Sequence, residues 1–273
     1  MEENRQKTKD RERKRYHRGR RKKKKKKKGD LLYNIILVVA IAIFCFAGFQ
    51  LFSIYKGYYE GEKEYDSIAE QVISNDNNGD RFIVDFDALY EMNEDVVGWI
   101  RFEQPEVINY PVVYGSDNSE YLYKTFQGYD NTVGSIFVNA YNTPDFENQC
   151  TIIYGHRMNN GTMFNKLGEY EDKEFWEKYP YFYIYTPDNT EMKYQIYSVG
   201  VVQETSDLYK NYHGHIDDFE SYIKLTKECS FYDTEIEVTE DDNIVLLSTC
   251  TNVDEAERLI VVGVRISETP LEE

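Results

Sequence analysis

The chain has 273 residues with 32 Lys and Arg against 49 Asp and Glu, and the net charge of −17 hides two opposite populations. Residues 1–30 hold 17 basic against 5 acidic side chains, a net of +12, and the remainder holds 15 against 44, a net of −29. An acidic body excludes nucleic-acid binding by the folded part, because phosphate neutralisation needs clustered cations; the length admits one large domain or two small ones.

In chain order, residues 1–30 read as a basic cytoplasmic tail, with Lys22–Lys28 suited to anionic inner-leaflet lipid or to plain solvation. Leu31–Tyr55 follows, 25 residues without a charge. A helix of that length reaches about 37 Å, enough to cross a hydrocarbon core of about 30 Å. Some thirty residues precede it and the large Phe49, Leu51, Phe52 and Tyr55 end it, so the pattern is an uncleaved anchor rather than a signal peptide. The basic flank predicts a cytoplasmic N-terminus and an extracellular body, hence a single-pass protein of the cell membrane.

Residues 56–80 read as a stalk or N-terminal helix over Lys56–Asn75, then a loop at Asp76–Asp80. Asp85–Trp99 is a predicted helix, with Asp85 as N-cap, Phe86, Leu89 and Tyr90 on one face, and Gly98 as its stop. From Ile100 the pattern turns to strands: Ile108–Tyr114, Gly134–Val138, Cys150–Tyr154, Tyr181–Thr186, Glu191–Val202, Asn243–Thr249 and Leu259–Ile266. Short helices are predicted over Tyr170–Tyr179 and, more clearly, Asp217–Cys229. Seven or eight strands in this space imply a mostly antiparallel barrel or sandwich over residues 81–267, with 268–273 as a tail.

The chemistry concentrates at strand ends. Cys250 ends one apolar run and Arg258 opens the next, eight residues on. If the two strands pair, thiol and guanidinium share a face, an arrangement that activates a nucleophile. Taken alone, the segment is as readily a buried core cysteine beside a surface charge. His156 ends the run TIIY-GH in the same way, after Gly155 permits a sharp turn. His213 and His215 lie in a polar loop without a third ligand nearby, which favours a solvated loop over a zinc site. Three cysteines follow the apolar stretch, Cys150, Cys229 and Cys250, so they cannot all pair within one chain. Roles can be assigned: Cys250 attacks a carbonyl carbon, His156 protonates the departing amine, and Arg258 donates to the oxyanion.

Leu246-Leu247-Ser248-Thr249-Cys250 followed by Arg258, with Tyr154-Gly155-His156 upstream, resembles the sortases, membrane-anchored cysteine transpeptidases of Gram-positive bacteria. Asp95–Ile100, Tyr110–Val113, Gly134–Phe137 and the helix before the final strands are similar to class B, and the resemblance covers roughly Asp85–Ile266. Leu246 stands where the family has Thr, at a position expected within the strand. The resemblance implies a closed β-barrel of about eight strands with N-terminal helices and a helix inserted before the last two strands. It also implies cleavage of an Asn-Pro-x-Thr-like sorting motif after Thr, a thioacyl enzyme, and transfer of a secreted substrate protein to a peptidoglycan precursor amine of the lipid II type. Catalytic roles fall on Cys250, His156 and Arg258, and substrate contacts on Leu247, Ser248, Thr249, Tyr222 and Ile223, with the Asp207–Ile216 loop beside them. No metal or other cofactor is implied. A pilin-polymerising sortase with a Lys acceptor is the second reading, and a non-catalytic extracellular binding domain the third.

Overall fold

The computed structural model describes residues 28–75, 81–210, 216–251, 254 and 256–271. The basic tail through residue 27, the 76–80 loop and the histidines at 213 and 215 lie outside them. The chain divides into two compact units, Met1–Ser53 and Ile54–Glu273. In the first, a helix α1 (Lys28–Val72) carries the apolar stretch predicted as an anchor, with every residue from Leu31 to Ser53 exposed. In the second, the last turns of α1 bury Tyr65, Ile68 and Val72 against the remaining elements.

A small two-stranded sheet of β1 (Ile73–Asn75) and β2 (Phe82–Val84) follows, then helix α2 (Phe86–Met92). Asp85 caps α2 by accepting from the Ala88 amide at 2.9 Å, as the sequence predicts. The predicted helix to Trp99 is corrected: α2 stops at Met92, Asn93 turns to extended backbone, and Val96–Phe102 forms strand β3. Two consecutive valines and a fully buried Trp99 suit a pleated sheet better than another helical turn. The rest of the domain comprises β4 (Asn109–Val113), β5 (Ile136–Val138), β6 (Cys150–Tyr154), α3 (Lys173–Lys178), β7 (Tyr181–Thr186), β8 (Thr190–Gln203), α4 (Phe219–Glu228), β9 (Ile244–Cys250) and β10 (Glu257–Pro270). The predicted helix over Tyr170–Tyr179 is two pieces, a 3₁₀ segment Asn165–Glu171 and α3, because Asp172 accepts from the Glu174 amide and starts a new helix. The last strand runs to Pro270, pairing with the start of β8, three residues into the stretch read as a tail.

Eight strands close a barrel in the order β10-β8-β7-β3-β4-β5-β6-β9. Two contacts are parallel, β4 with β5 and β6 with β9; the others are antiparallel. The fold is therefore the closed, mostly β barrel expected, with α4 inserted before the last two strands. Alternation along the strands sorts the apolar residues into two cores. Val245, Leu247, Leu259 and Val261 join the main core, while Ile244, Leu246, Ile260 and Val262 join a second one with Phe219, Tyr222 and Ile223 of α4. Helix α4 thus covers the outer face of β9 and β10, and that same face continues to the rim where Cys250 and Arg258 stand.

Candidate active site

The register of three adjacent strands builds the site. In the antiparallel β9–β10 ladder Cys250 and Arg258 are directly opposite, so both side chains leave the sheet on one face. In the parallel β6–β9 ladder Tyr154 is opposite Ser248, and the Gly155 amide still donates to the Ser248 carbonyl at 3.1 Å. Gly155 and His156 follow the end of β6, which runs beside β9, while Cys250 and Arg258 face each other across β9 and β10. His156, Cys250 and Arg258 line an open cleft of about 230 Å³, together with Asn118, Leu122, Phe137, Tyr154, Gly155, Ser248 and Thr249.

Each of these three is half-buried, which leaves it accessible yet partly desolvated. The His156 ring is fixed by its Nε2, 2.6 Å from the Leu122 carbonyl oxygen, and packs at 5.9 Å against the Tyr123 ring. A carbonyl only accepts, so Nε2 carries the hydrogen. Leu122 belongs to a 3₁₀ turn, Glu120–Leu122, and Gly134 packs so closely against its carbonyl and the imidazole that no Cβ would fit there. The Arg258 guanidinium donates to the Glu257 carbonyl at 3.0 Å and to Glu204 Oε2 at 2.7 Å. Its positive charge opposes the rise that burial imposes on the phenols of Tyr154 and Tyr209, the latter pushed up to about 12. Tyr209 in turn shares a hydrogen bond of 2.8 Å with the Ser248 hydroxyl. The cleft wall is therefore aromatic and hydroxylic, with one cation at its edge.

Among the described residues no disulfide joins the four cysteines. Cys150 is fully buried 3.3 Å from the Tyr222 hydroxyl, and burial pushes its thiol up to about 12; Cys229 is pushed up to about 11, again by burial. Neither is a candidate nucleophile at neutral pH, because both stay protonated there.

Of the residues read as substrate contacts, Ser248 and Thr249 line the cleft. Leu247 points into the barrel core, and Tyr222 and Ile223 are 7 % and 5 % exposed in the packing beneath α4. Ile223 borders a separate groove of about 970 Å³ between α4 and residues 230–236, which holds neither thiol nor imidazole. Sequence reasoning missed Asn118, Leu122 and Phe137, and placed Tyr209 only as part of the Asp207–Ile216 loop. The Leu122 contribution is a backbone atom, which no residue type announces, and Tyr209 reaches Ser248 from a 3₁₀ turn 39 residues away.

The chain and its barrel resemble known proteins. A Sortase-domain family profile matches residues 102–266. A Sortase B of Listeria monocytogenes is 34 % identical over 179 residues, covering 64 % of this chain and 71 % of its own. A Sortase B of Staphylococcus aureus is 30 % identical over 237 residues, covering 85 % and 94 %. Among solved structures, a Streptococcus pyogenes class B sortase involved in pilus biogenesis superposes with a TM-score of 0.62 at 31 % identity, over 67 % of this chain and 98 % of its own. Sequence and barrel alike therefore match enzymes of one kind: the chain belongs to the sortase family, as a class B cysteine transpeptidase.

Proposed function

We propose that Cys250 is the nucleophile of a two-step transpeptidation on a C-terminal sorting motif of the Asn-Pro-x-Thr type. The Cys250 thiolate adds to the carbonyl carbon of the motif's Thr, and the carbonyl electron pair moves onto oxygen. Arg258 donates to that oxyanion, where a fixed cation in a partly desolvated cleft acts most strongly. Collapse breaks the C–N bond as His156 protonates the leaving amine, and a thioester to Cys250 remains. While Nε2 donates to Leu122, the proton in transit belongs on Nδ1, and the carbonyl does the orienting that an amide does in other Cys–His pairs. An amine of a peptidoglycan precursor then attacks the thioester, His156 takes up its proton, and the substrate protein leaves joined to the cell wall.

The observation that carries this reading is the cleft that His156, Cys250 and Arg258 line together, with Cys250 directly opposite Arg258. Ser248 and Thr249 form the wall against which the motif lies, with Tyr209 beside them. Leu31–Tyr55 anchors the enzyme, the basic tail remains in the cytoplasm, and residues 81–267 work outside the membrane. Incubation with an Asn-Pro-x-Thr peptide followed by mass spectrometry tests the proposal. An acyl adduct on Cys250 is the expected result, and folded protein without any adduct would overturn it. A second reading has one observation in its favour, the likeness to a sortase involved in pilus biogenesis. In it a Lys side chain resolves the thioester, and competition between a precursor-type amine and a Lys-bearing peptide separates the two.

A further inference from the structure

We infer that Glu204 is a positioning residue for Arg258, holding the guanidinium in the cleft without touching substrate itself. The inference rests on the proposed role of Arg258 at the oxyanion. Arg258 has a long side chain with many rotamers, and a donor that wanders stabilises a transient charge poorly. Among the described residues, the acceptors that hold it include the Glu257 carbonyl on Nη1 and Glu204 Oε2 on Nη2.

Glu204 is well placed to impose a direction. It follows the last residue of β8, on the side of β10 away from β9, where Gln203 is opposite Glu257. Its own amide donates to the Ala256 carbonyl at 2.7 Å, so its backbone is held independently of its side chain. The side chain is 51 % exposed, whereas that of Arg258 is 23 % exposed. An ion pair so open to water adds little to folding. Its effect is therefore on geometry, since the charge-assisted Nη2–Oε2 hydrogen bond of 2.7 Å limits where the guanidinium can sit. The negative charge does weaken the field of Arg258, but solvent screens the exposed carboxylate more than the half-buried cation.

The test uses the full chain and measures kcat and KM for a sorting-motif peptide with a saturating amine. Glu204→Ala should lower kcat roughly tenfold, the scale of a lost positioning contact, with KM little changed and thermal midpoint unaltered. Glu204→Gln, whose amide oxygen still accepts, should restore most of the rate. In an Arg258→Ala background, Glu204→Ala should have no further effect, because the two act as a unit. Wild-type kcat in Glu204→Ala beside a crippled Arg258→Ala overturns the positioning role alone. So does an equal loss from Glu204→Ala in both backgrounds. Wild-type kinetics in Arg258→Ala overturns the oxyanion role and this inference with it.

Discussion

At the scale of single residues, the proposal assigns distinct roles to three side chains of one cleft. Cys250→Ala removes the sulfur proposed to form the thioester, so cleavage and transfer should both vanish. The thermal midpoint should barely move, since a half-buried strand-end sulfur contributes little packing. Residual turnover at wild-type scale would show that the nucleophile is elsewhere. Arg258→Lys keeps the charge but loses the planar fork that Glu204 and the Glu257 carbonyl hold. A fall in kcat of roughly a hundredfold, the usual cost of an oxyanion donor, is expected in steady-state kinetics. Competition among the thiols is a further check: a limiting alkylating reagent at neutral pH should label Cys250 and spare Cys150. Peptide mapping that finds Cys150 modified first in folded protein would contradict the burial argument. Cys250 and Arg258 were legible in the sequence because a hairpin of two apolar strands fixes the register from spacing alone. His156 was legible only as a strand end, and its distance to Cys250 along the chain gave no geometry. Glu204 and the Leu122 carbonyl left no trace, one being a common surface residue type and the other main chain.

Elements explain why the cleft is stable enough to use. Strands β6 and β9 were readable to within a residue because buried strands are continuous apolar runs with abrupt ends. Strand β3 was not, since the acidic residues and the rhythm of Phe86, Leu89 and Tyr90 carried the helical pattern past its end at Met92. The stop is local: the Asn93 amide closes on the Leu89 carbonyl while Asn93 itself is already extended. Which element touches the imidazole was equally unreadable, because the Glu120–Leu122 turn meets His156 through a main-chain carbonyl 34 residues away, packed against Gly134. That glycine is at φ +62°, and a Cβ there would lie 2.5 Å from the Leu122 carbonyl oxygen and 2.9 Å from His156 Cδ2. Gly134→Ala is therefore expected to displace the acceptor of His156 Nε2. Strain at a left-handed position costs of order 1–3 kcal/mol, and the collision adds to it. Activity should fall further than stability does, and thermal unfolding compared with kcat on one preparation decides the point. Equal losses in the two would make Gly134 a folding residue only.

For the molecule as a whole, tyrosine is the distinguishing material of the barrel, with 25 in the chain. Many are buried with their hydroxyls spoken for. Tyr65 of α1 donates to the Gly134 carbonyl at 2.7 Å, Tyr170 to the Gln104 carbonyl at 2.9 Å, and the Tyr110 hydroxyl accepts from the Met163 amide at 3.1 Å. Burial raises the pKa of Tyr110 and Tyr209 to about 12, and lifts Tyr65, Tyr170, Tyr194 and Tyr197 further, for the same cause. The sign follows from linkage: a phenol whose folded pKa exceeds its unfolded value stays protonated when folded and ionises when unfolded. Its contribution to stability is complete below the unfolded value of about 10 and is lost as pH rises through the folded one. Each such phenol therefore adds to a pull toward the unfolded chain once the pH exceeds the unfolded value. The barrel should accordingly tolerate mild alkali and then unfold cooperatively above about pH 10, with tyrosinate absorbance rising in one step as near-ultraviolet dichroism collapses. Gradual ionisation of all the tyrosines with the dichroism intact would mean that these phenols are not sealed from solvent, and the packing that holds His156, Cys250 and Arg258 in one cleft would be looser than the ladder registers require.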